Sequence, residues 1–363
     1  MRTVGVEEEL LLVDPDSGEP RAQQGAVLAR AVQDDPGQDL FQKELFGQML
    51  EFATHPQADM AHLGAEIVHC RKEAARLAGE IGCAVAALAT SPLPVTPSII
   101  GGQERYRWMA EQYGITTQEQ LVCGCHAHVS VESDEEGVAV LDRIRPWLPV
   151  LSALTANSPF WQGSETGYAS YRSRVWRRWP SAGPTELFGS AERYHHRVKE
   201  MVATGVIRDA GMAYFDARLS ARYPTVEIRA ADVCLRADTT VLVAALARAL
   251  VETAARDWRA GLPPLDHGVS LLRLAAWQAA RYGLDEDLLD PVTVRPRPAV
   301  QVLHALLEHT GDALADSGDA AEVEKAVAHL MRRGTGAREQ RLLMERTGSL
   351  RRVVTECVRR TQD

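Results

Sequence analysis

Long apolar runs, a basic surplus and a cysteine framework are all missing from this sequence, and each absence removes a class of protein. No stretch approaches the roughly 18 consecutive apolar residues that cross a bilayer. The N-terminus opens with Glu7, Glu8 and Glu9 where a secretory leader carries basic and then apolar residues. The chain therefore reads as cytoplasmic, with no membrane partner. A formal net charge of −9 and a pI near 5.7 leave no cationic excess to displace counterions from a phosphate backbone, which argues against nucleic acid and for small molecules as partners. Six cysteines (Cys70, Cys83, Cys123, Cys125, Cys234, Cys357) are too few and too scattered in 363 residues to form a disulfide scaffold. They suit a reducing compartment, as small buried apolar groups.

Two catalytic signatures are absent as well. No Gly-x-x-x-x-Gly-Lys-Ser/Thr loop occurs, so ATP use cannot be read from a phosphate loop, and Gly101-Gly102 is too short to replace one. No Gly-x-Ser-x-Gly elbow supports a serine hydrolase.

What is present is ordinary globular composition, 45% hydrophobic and 25% charged, in a chain long enough to bury a large core. Strand-like and helix-like patterns alternate early, whereas the stretch from Thr239 onward is almost all helical, broken at Gly261-Leu-Pro-Pro, Gly283, Asp290-Pro291, Arg295-Pro-Arg-Pro298 and Gly334 to Gly336. This asymmetry predicts an α+β fold with helices against a largely antiparallel sheet. The expected organisation is a single domain over 1–363, with sheet and active site mainly in 1–236 and a helical part in 237–363. Leu303, Leu306, Leu307 and Leu314 offer apolar surface for the core or for a homo-oligomer interface.

Val4, Val6, Leu10 and Leu12 alternate with Glu7 and Glu9, a strand with both carboxylates on one face and Glu8 interrupting the apolar one. Leu63, Ile67, Cys70, Ala74, Leu77 and Ile81 recur at helical spacing after a candidate Asp59 N-cap. Cys83 to Ala89 reads as a buried strand. Leu121 to Val131 alternates with His126, His128 and Ser130 on one face and Cys125, Ala127, Val129 and Val131 on the other. In Pro224 to Val233, Glu227 and Arg229 oppose Val226, Ile228 and Ala230.

Three strands thus each project a pair of ionisable groups from the face opposite their apolar residues. Any one pair is readily a solvated sheet face. Together they suggest the floor of a cleft, since an antiparallel sheet needs only one apolar face. Carboxylates with imidazole suit Mg²⁺ or Mn²⁺ better than structural zinc. Glu51 adds to this, because a carboxylate inside the apolar run from Met49 to Ala53 must be paired, metal-bound or protonated. Periodicity does not place Glu44, which reads equally as a surface residue. The competing reading is zinc on Cys123-Gly-Cys125-His126-Ala-His128, whose spacing is wrong for a zinc motif and whose cysteines a strand would turn away from its histidines.

In order, Gly5-Val-Glu7-Glu-Glu9-Leu, Glu44 with Met49-Leu-Glu51-Phe-Ala-Thr, Gly124-Cys-His126-Ala-His128-Val, Ser158-Pro159-Phe-Trp-Gln-Gly163 and Thr225-Val-Glu227-Ile-Arg229 resemble the type 2 glutamate–cysteine ligases, and within them the YbdK-like carboxylate–amine ligase branch. Asp216-Ala-Arg218 and Arg281-Tyr-Gly283 extend the resemblance over nearly the whole chain. It implies a glutamine synthetase-like catalytic fold, a curved antiparallel sheet forming a funnel with helices on its outer face. It implies ATP and Mg²⁺, with Mn²⁺ as substitute, and an acyl phosphate formed from a carboxylate such as that of glutamate and attacked by an amine such as that of cysteine. Glu9, Glu44 and Glu51 match one metal cluster, and Glu7, His126 and Glu227 a second. Arg229 matches the arginine at the transferring phosphate, with His128 as a further phosphate donor. Arg172 and Arg218 are the candidate substrate-binding arginines, because a guanidinium grips a carboxylate with two hydrogen bonds. Cys125 stands where the family often has glutamine. The same chemistry with another amine, or a non-catalytic nucleotide-binding relative, are the alternatives.

Overall fold

Alternation along the strands builds one main antiparallel sheet. The structure is a computed structural model that describes residues 1–34, 40–95 and 104–363; Gly101 and Gly102 lie outside the described residues. Its strands are β1 (Val4–Val13), β2 (Phe41–Gln42), β3 (Met49–Ala53), β4 (Ala84–Ala86), β5 (Gly124–Ser130), β6 (Phe160–Trp161), β7 (Ser164–Glu165), β8 (Ala217–Leu219), β9 (Thr225–Asp232), β10 (Asp287–Leu289) and β11 (Pro296–Pro298). Seven of them form the main sheet in the order β2-β3-β1-β5-β9-β8, with β4 also pairing β1. Every pairing in it is antiparallel. β6 with β7 and β10 with β11 form two small separate ladders.

The apolar side of β1, with Val4, Val6, Leu10 and Leu12 fully buried, packs into a core that runs on through the C-terminal helices. The helix Met60–Glu80 buries Leu63, Ile67, Cys70, Ala74 and Leu77, and the Asp59 carboxylate caps it by accepting from the Ala61 and His62 amides. Glu8, the one acidic residue on the apolar side, is wholly buried. Arg71 of that helix donates to both its oxygens at 2.8 Å, and Thr240 Oγ1 donates at 2.6 Å. A desolvated carboxylate is tolerated here because it is bidentately paired.

Cys83 to Ala89 is shorter as a strand than the sequence suggests. Only Ala84–Ala86 pairs with β1, and the Leu88 amide then bonds back to Ala86 O at 2.9 Å, which turns the chain out of the ladder. The C-terminal part is helical as expected, with helices Ala237–Arg259, Val269–Tyr282, Ala299–Ser317, Ala320–Arg333, Gly336–Thr347 and Leu350–Thr361. Breaks fall where the sequence puts them, at Gly283 and Gly334 with positive φ, and at Asp290-Pro291 between β10 and β11. Leu303, Leu306 and Leu314 are interior, and Leu307 is half-buried against the same core. Among the described residues no helix is long and apolar enough to cross a membrane.

Candidate active site

Strand register gathers the site. Glu9 faces Glu51 and Glu7 lies beside His126 in the ladders flanking β1. His128 faces Glu227, which faces Arg218 on its other side. Facing residues share a side of the sheet, so the pairs read from the three separate strands converge on one face.

Glu9, Glu44 and Glu51 form the first group, each offering an oxygen within 4.8 Å of the others. Glu44 reaches it from the loop before β3, which explains why no periodicity placed it. Loss of hydration, with the neighbouring charge of Glu9, pushes Glu44 up to about 7. Burial and then Glu44, Glu7 and Glu9 drive Glu51 well above the ordinary carboxylate range. Burial raises Glu9 too, although Arg172 and the Gly124 amide, which donates to Glu9 Oε2, oppose it. Three hard oxygen donors that cannot all ionise unaided are a donor set that fits a divalent cation such as Mg²⁺ or Mn²⁺.

Glu7 links two further groups, one with Glu51 and His126, the other with His128 and Glu227. His126 Nδ1 lies 3.1 Å from Glu7 Oε2 and His128 Nε2 lies 3.2 Å from Glu7 Oε1. Burial would raise Glu7, but these histidines outweigh it and hold Glu7 well below its usual value. Burial, helped by the Arg229 charge, lowers His126 to about 4. Its neutral ring keeps Nε2 buried without a partner, the form in which an imidazole binds a metal.

Of the expected second set, Glu7 belongs to both groups, His126 to the one with Glu51 and Glu227 to the one with His128. The ladder puts His128 opposite Glu227, and the register between β5 and β9 shifts across Cys125 and Ala127, so that Ile228 and Ala231 both pair on the core side. This bulge leaves Arg229 and Ala230 without a partner in the β5 ladder, so that Ala231 in place of Ala230 takes the next core-side pairing, with Cys125. Ser152 Oγ satisfies the Ala230 carbonyl at 2.9 Å. His128, expected at a phosphate, stands between Glu7 and Thr225 Oγ1, the latter 3.2 Å from Nδ1.

Glu227 is buried, yet Arg229 and Arg218 hold its carboxyl far below the ordinary range. Arg218 forks onto it with contacts of 2.7 and 3.2 Å, and Arg229 donates to Oε1. Arg218 is thus engaged with protein, its Nη1 also donating to Gly211 O at 2.7 Å. Arg172 is 1% exposed, with Nη1 4.0 Å from Asp232 Oδ1 and with Nε and Nη2 unpartnered. It lies so close over Gly124 that a Cβ there would come within 2.2 Å of Nη2. Arg177 and Arg178 are paired elsewhere, with Asp216 and Glu119.

Three contributors escaped the sequence reading. Asp232 accepts from the Asn157 amide, Ser158 Oγ and Ser170 Oγ at 2.7 to 2.9 Å, tying down the loops that carry Arg172. Gly124 supplies the space for Arg172. Trp176 has the Arg172 and Arg229 guanidinium carbons each 5.5 Å from its ring centroid. Only the four-residue spacing of Arg172 and Trp176 signals any of this in advance. The donors of the zinc alternative are not brought together: Cys123 and Cys125 are buried free thiols, and among the described residues no cysteine joins a metal-capable group.

A family model described as glutamate-cysteine ligase family 2 matches residues 3–356. A Streptomyces avermitilis protein named "Putative glutamate--cysteine ligase 2-1" is 75% identical over 362 residues, covering 100% of this chain and 100% of its own. A Streptomyces coelicolor protein named "Putative glutamate--cysteine ligase 2" is 71% identical over 362 residues, covering 100% of this chain and 99% of its own. The solved glutamate–cysteine ligase of Francisella tularensis in complex with AMP has a TM-score of 0.72 at 12% identity, over 99% of this chain and 88% of that one. That likeness shows the fold, the glutamine synthetase-like arrangement expected from the sequence.

Proposed function

The chain belongs to glutamate-cysteine ligase family 2, and from that membership we propose that it is an ATP-dependent carboxylate–amine ligase joining the γ-carboxylate of glutamate to the amine of cysteine through an acyl phosphate. The observation that carries this reading is the convergence of Glu9, Glu44 and Glu51, from β1, a loop and β3, on one point with their pKa values raised. Such a cluster is unfavourable unless a cation offsets it. A divalent ion there supplies the charge neutralisation that lets a polyphosphate and a carboxylate approach each other.

The protein's own groups divide the remaining work. Glu9, Glu44 and Glu51 would hold one ion, and Glu7 and His126, with Glu227 beside them, a second. Arg229, anchored by Glu227 yet with Nε free, faces the charge that develops on the transferring phosphoryl group. Arg172 grips the substrate carboxylate through its unpartnered edge, and Arg218 fixes the orientation of Glu227. His128, whose two ring nitrogens contact Glu7 and Thr225 in the absence of ligand, would donate toward phosphate oxygen on exchanging one of these contacts for it. A carboxylate oxygen of the donor attacks the γ-phosphorus and ADP leaves. The amine then attacks the acyl carbon, the C–O bond to phosphate breaks, and an amide, phosphate and a proton are released. All six cysteines are free and buried, which suits work in the cytoplasm.

ATP consumption across a panel of amine acceptors, at fixed glutamate and Mg²⁺, tests the reading. Stimulation by cysteine above all others is expected. Stimulation by a different amine would reassign the acceptor, and no acceptor-dependent turnover at all would leave a nucleotide-binding relative without ligase activity.

A further inference from the structure

Arg172 and Arg229 are buried guanidinium groups that keep some of their N–H donors unpaired. Both guanidinium groups are buried, at 1% and 7% exposure. Arg229 has one close anionic partner, Glu227, and leaves Nε unpaired. Arg172 has no side-chain partner closer than Asp232 at 4.0 Å and leaves Nε and Nη2 unpaired. A side chain of this length, held by so few hydrogen bonds, has many rotamers by which to escape.

One ring meets both. Trp176 closes the short helix Arg172–Trp176, four residues after Arg172, the spacing that sets two side chains on the same helical face. Its ring centroid is 5.5 Å from the guanidinium carbon of Arg172 and 5.5 Å from that of Arg229, within the range at which a π face attracts a cation. The indole is itself fixed: Tyr214 packs edge-on against it at 5.1 Å and lies 6.0 Å from Arg229. Trp179 backs Tyr214 at 5.8 Å. An aromatic face attracts a guanidinium without occupying its N–H donors, so the edges that a ligand needs stay free, which a carboxylate partner would not allow.

We infer that Trp176 is a positioning residue of the proposed ligase site, holding Arg172 and Arg229 together so that the carboxylate-gripping and phosphoryl-facing arginines act as one unit. This rests on the ligase reading for its consequence in catalysis, but the holding itself is a property of the folded chain.

The test separates the two. In the full-length protein, the arginine Nε–Hε signals of Arg172 and Arg229 are assigned by their loss in Arg172→Lys and Arg229→Lys. They should be sharp and shifted by the ring current in wild type and in Trp176→Phe. In Trp176→Leu both should lose that shift and broaden. With glutamate, MgATP and hydroxylamine, Trp176→Phe should stay within about threefold of wild type. Trp176→Leu should lose about ten- to a hundredfold in kcat/KM, mainly through KM for the carboxylate, as expected when two ring contacts go. Thermal unfolding should place both variants close to wild type. Unmoved arginine signals in Trp176→Leu would overturn the inference, as would a lost shift for only one of them. Wild-type protein without carboxylate-dependent turnover would overturn the ligase reading, while the signals would still decide the role of Trp176.

Discussion

Glu9 lies directly across the β1–β3 ladder from Glu51. Like charges facing each other on a sheet destabilise it, and Glu44 closes on the same point. This arrangement sets the pH dependence of the metal-free protein. Burial and the neighbouring carboxylates push Glu44 up to about 7 and drive Glu51 well above its ordinary value. At Glu44 and Glu51 the native state therefore holds protons that the unfolded chain has already released, and their contribution to stability falls as pH rises through that window, against the opposite contribution of His126, lowered to about 4. Glu7 and Glu227 shift the other way, so their contributions are lost only at lower pH. Mn²⁺ or Mg²⁺ displaces the retained protons, so the rise in Tm on adding metal should grow from pH 5.5 to pH 8. Calorimetry at several pH values checks this, and Glu44→Gln should flatten the slope.

Glu227→Gln tests the second cluster. The change is nearly isosteric, but it removes the charge that Arg218 and Arg229 share. Turnover should fall on the order of a hundredfold, as for loss of a preorganised electrostatic contact. Because a buried cation loses its counter-charge, Tm should fall as well. Steady-state kinetics and thermal unfolding of one preparation give both numbers.

Gly124→Ala separates Arg172 from the fold. The three atoms nearest the added methyl all belong to the Arg172 guanidinium, the far end of a flexible side chain, with Nη2 at 2.2 Å. Arg172 should swing aside with little loss of Tm, while KM for the carboxylate rises about tenfold or more, as when a charge-assisted hydrogen bond is lost. Unchanged KM would remove Arg172 from substrate binding.

His126→Ala should abolish or severely reduce activity, whereas Cys125→Ser should leave most of it. Cys125 pairs through the core side of β5, opposite the histidine face. Metal analysis of the purified protein should find no stoichiometric zinc, and one tightly held zinc lost in Cys123→Ser would contradict the hard-cation assignment.

What could be read in advance follows from periodicity. β1, β5 and β9 announce themselves through alternation, and with them the shared face of Glu7, Glu9, His126, His128 and Glu227. The helix Met60–Glu80 does so through its cap and its apolar spacing. Glu44 sits in a loop, where side-chain direction has no period, and only the family resemblance pointed to it. The bulge at Arg229-Ala230 is a tertiary adjustment that strict alternation hides, so the pairing of Ala231 rather than Ala230 with β5 has no signal in the sequence. Gly124, Asp232 and Trp176 act through contacts made by folding, between segments far apart in the chain, and carry no local signature beyond the spacing of Arg172 and Trp176.

The acyl phosphate is the step that separates this chemistry from adenylate-forming ligases and from simple ATPases, and hydroxylamine tests it without knowledge of the natural acceptor. Wild-type protein is incubated with ATP, Mg²⁺ and glutamate, then with hydroxylamine, and hydroxamate and nucleotide products are quantified together. If Arg229 and the carboxylate clusters direct attack to the γ-phosphorus, glutamyl hydroxamate and ADP should appear in equal amounts, with no AMP. Release of AMP and pyrophosphate, or ADP without any glutamate-dependent hydroxamate, would contradict the γ-phosphoryl route.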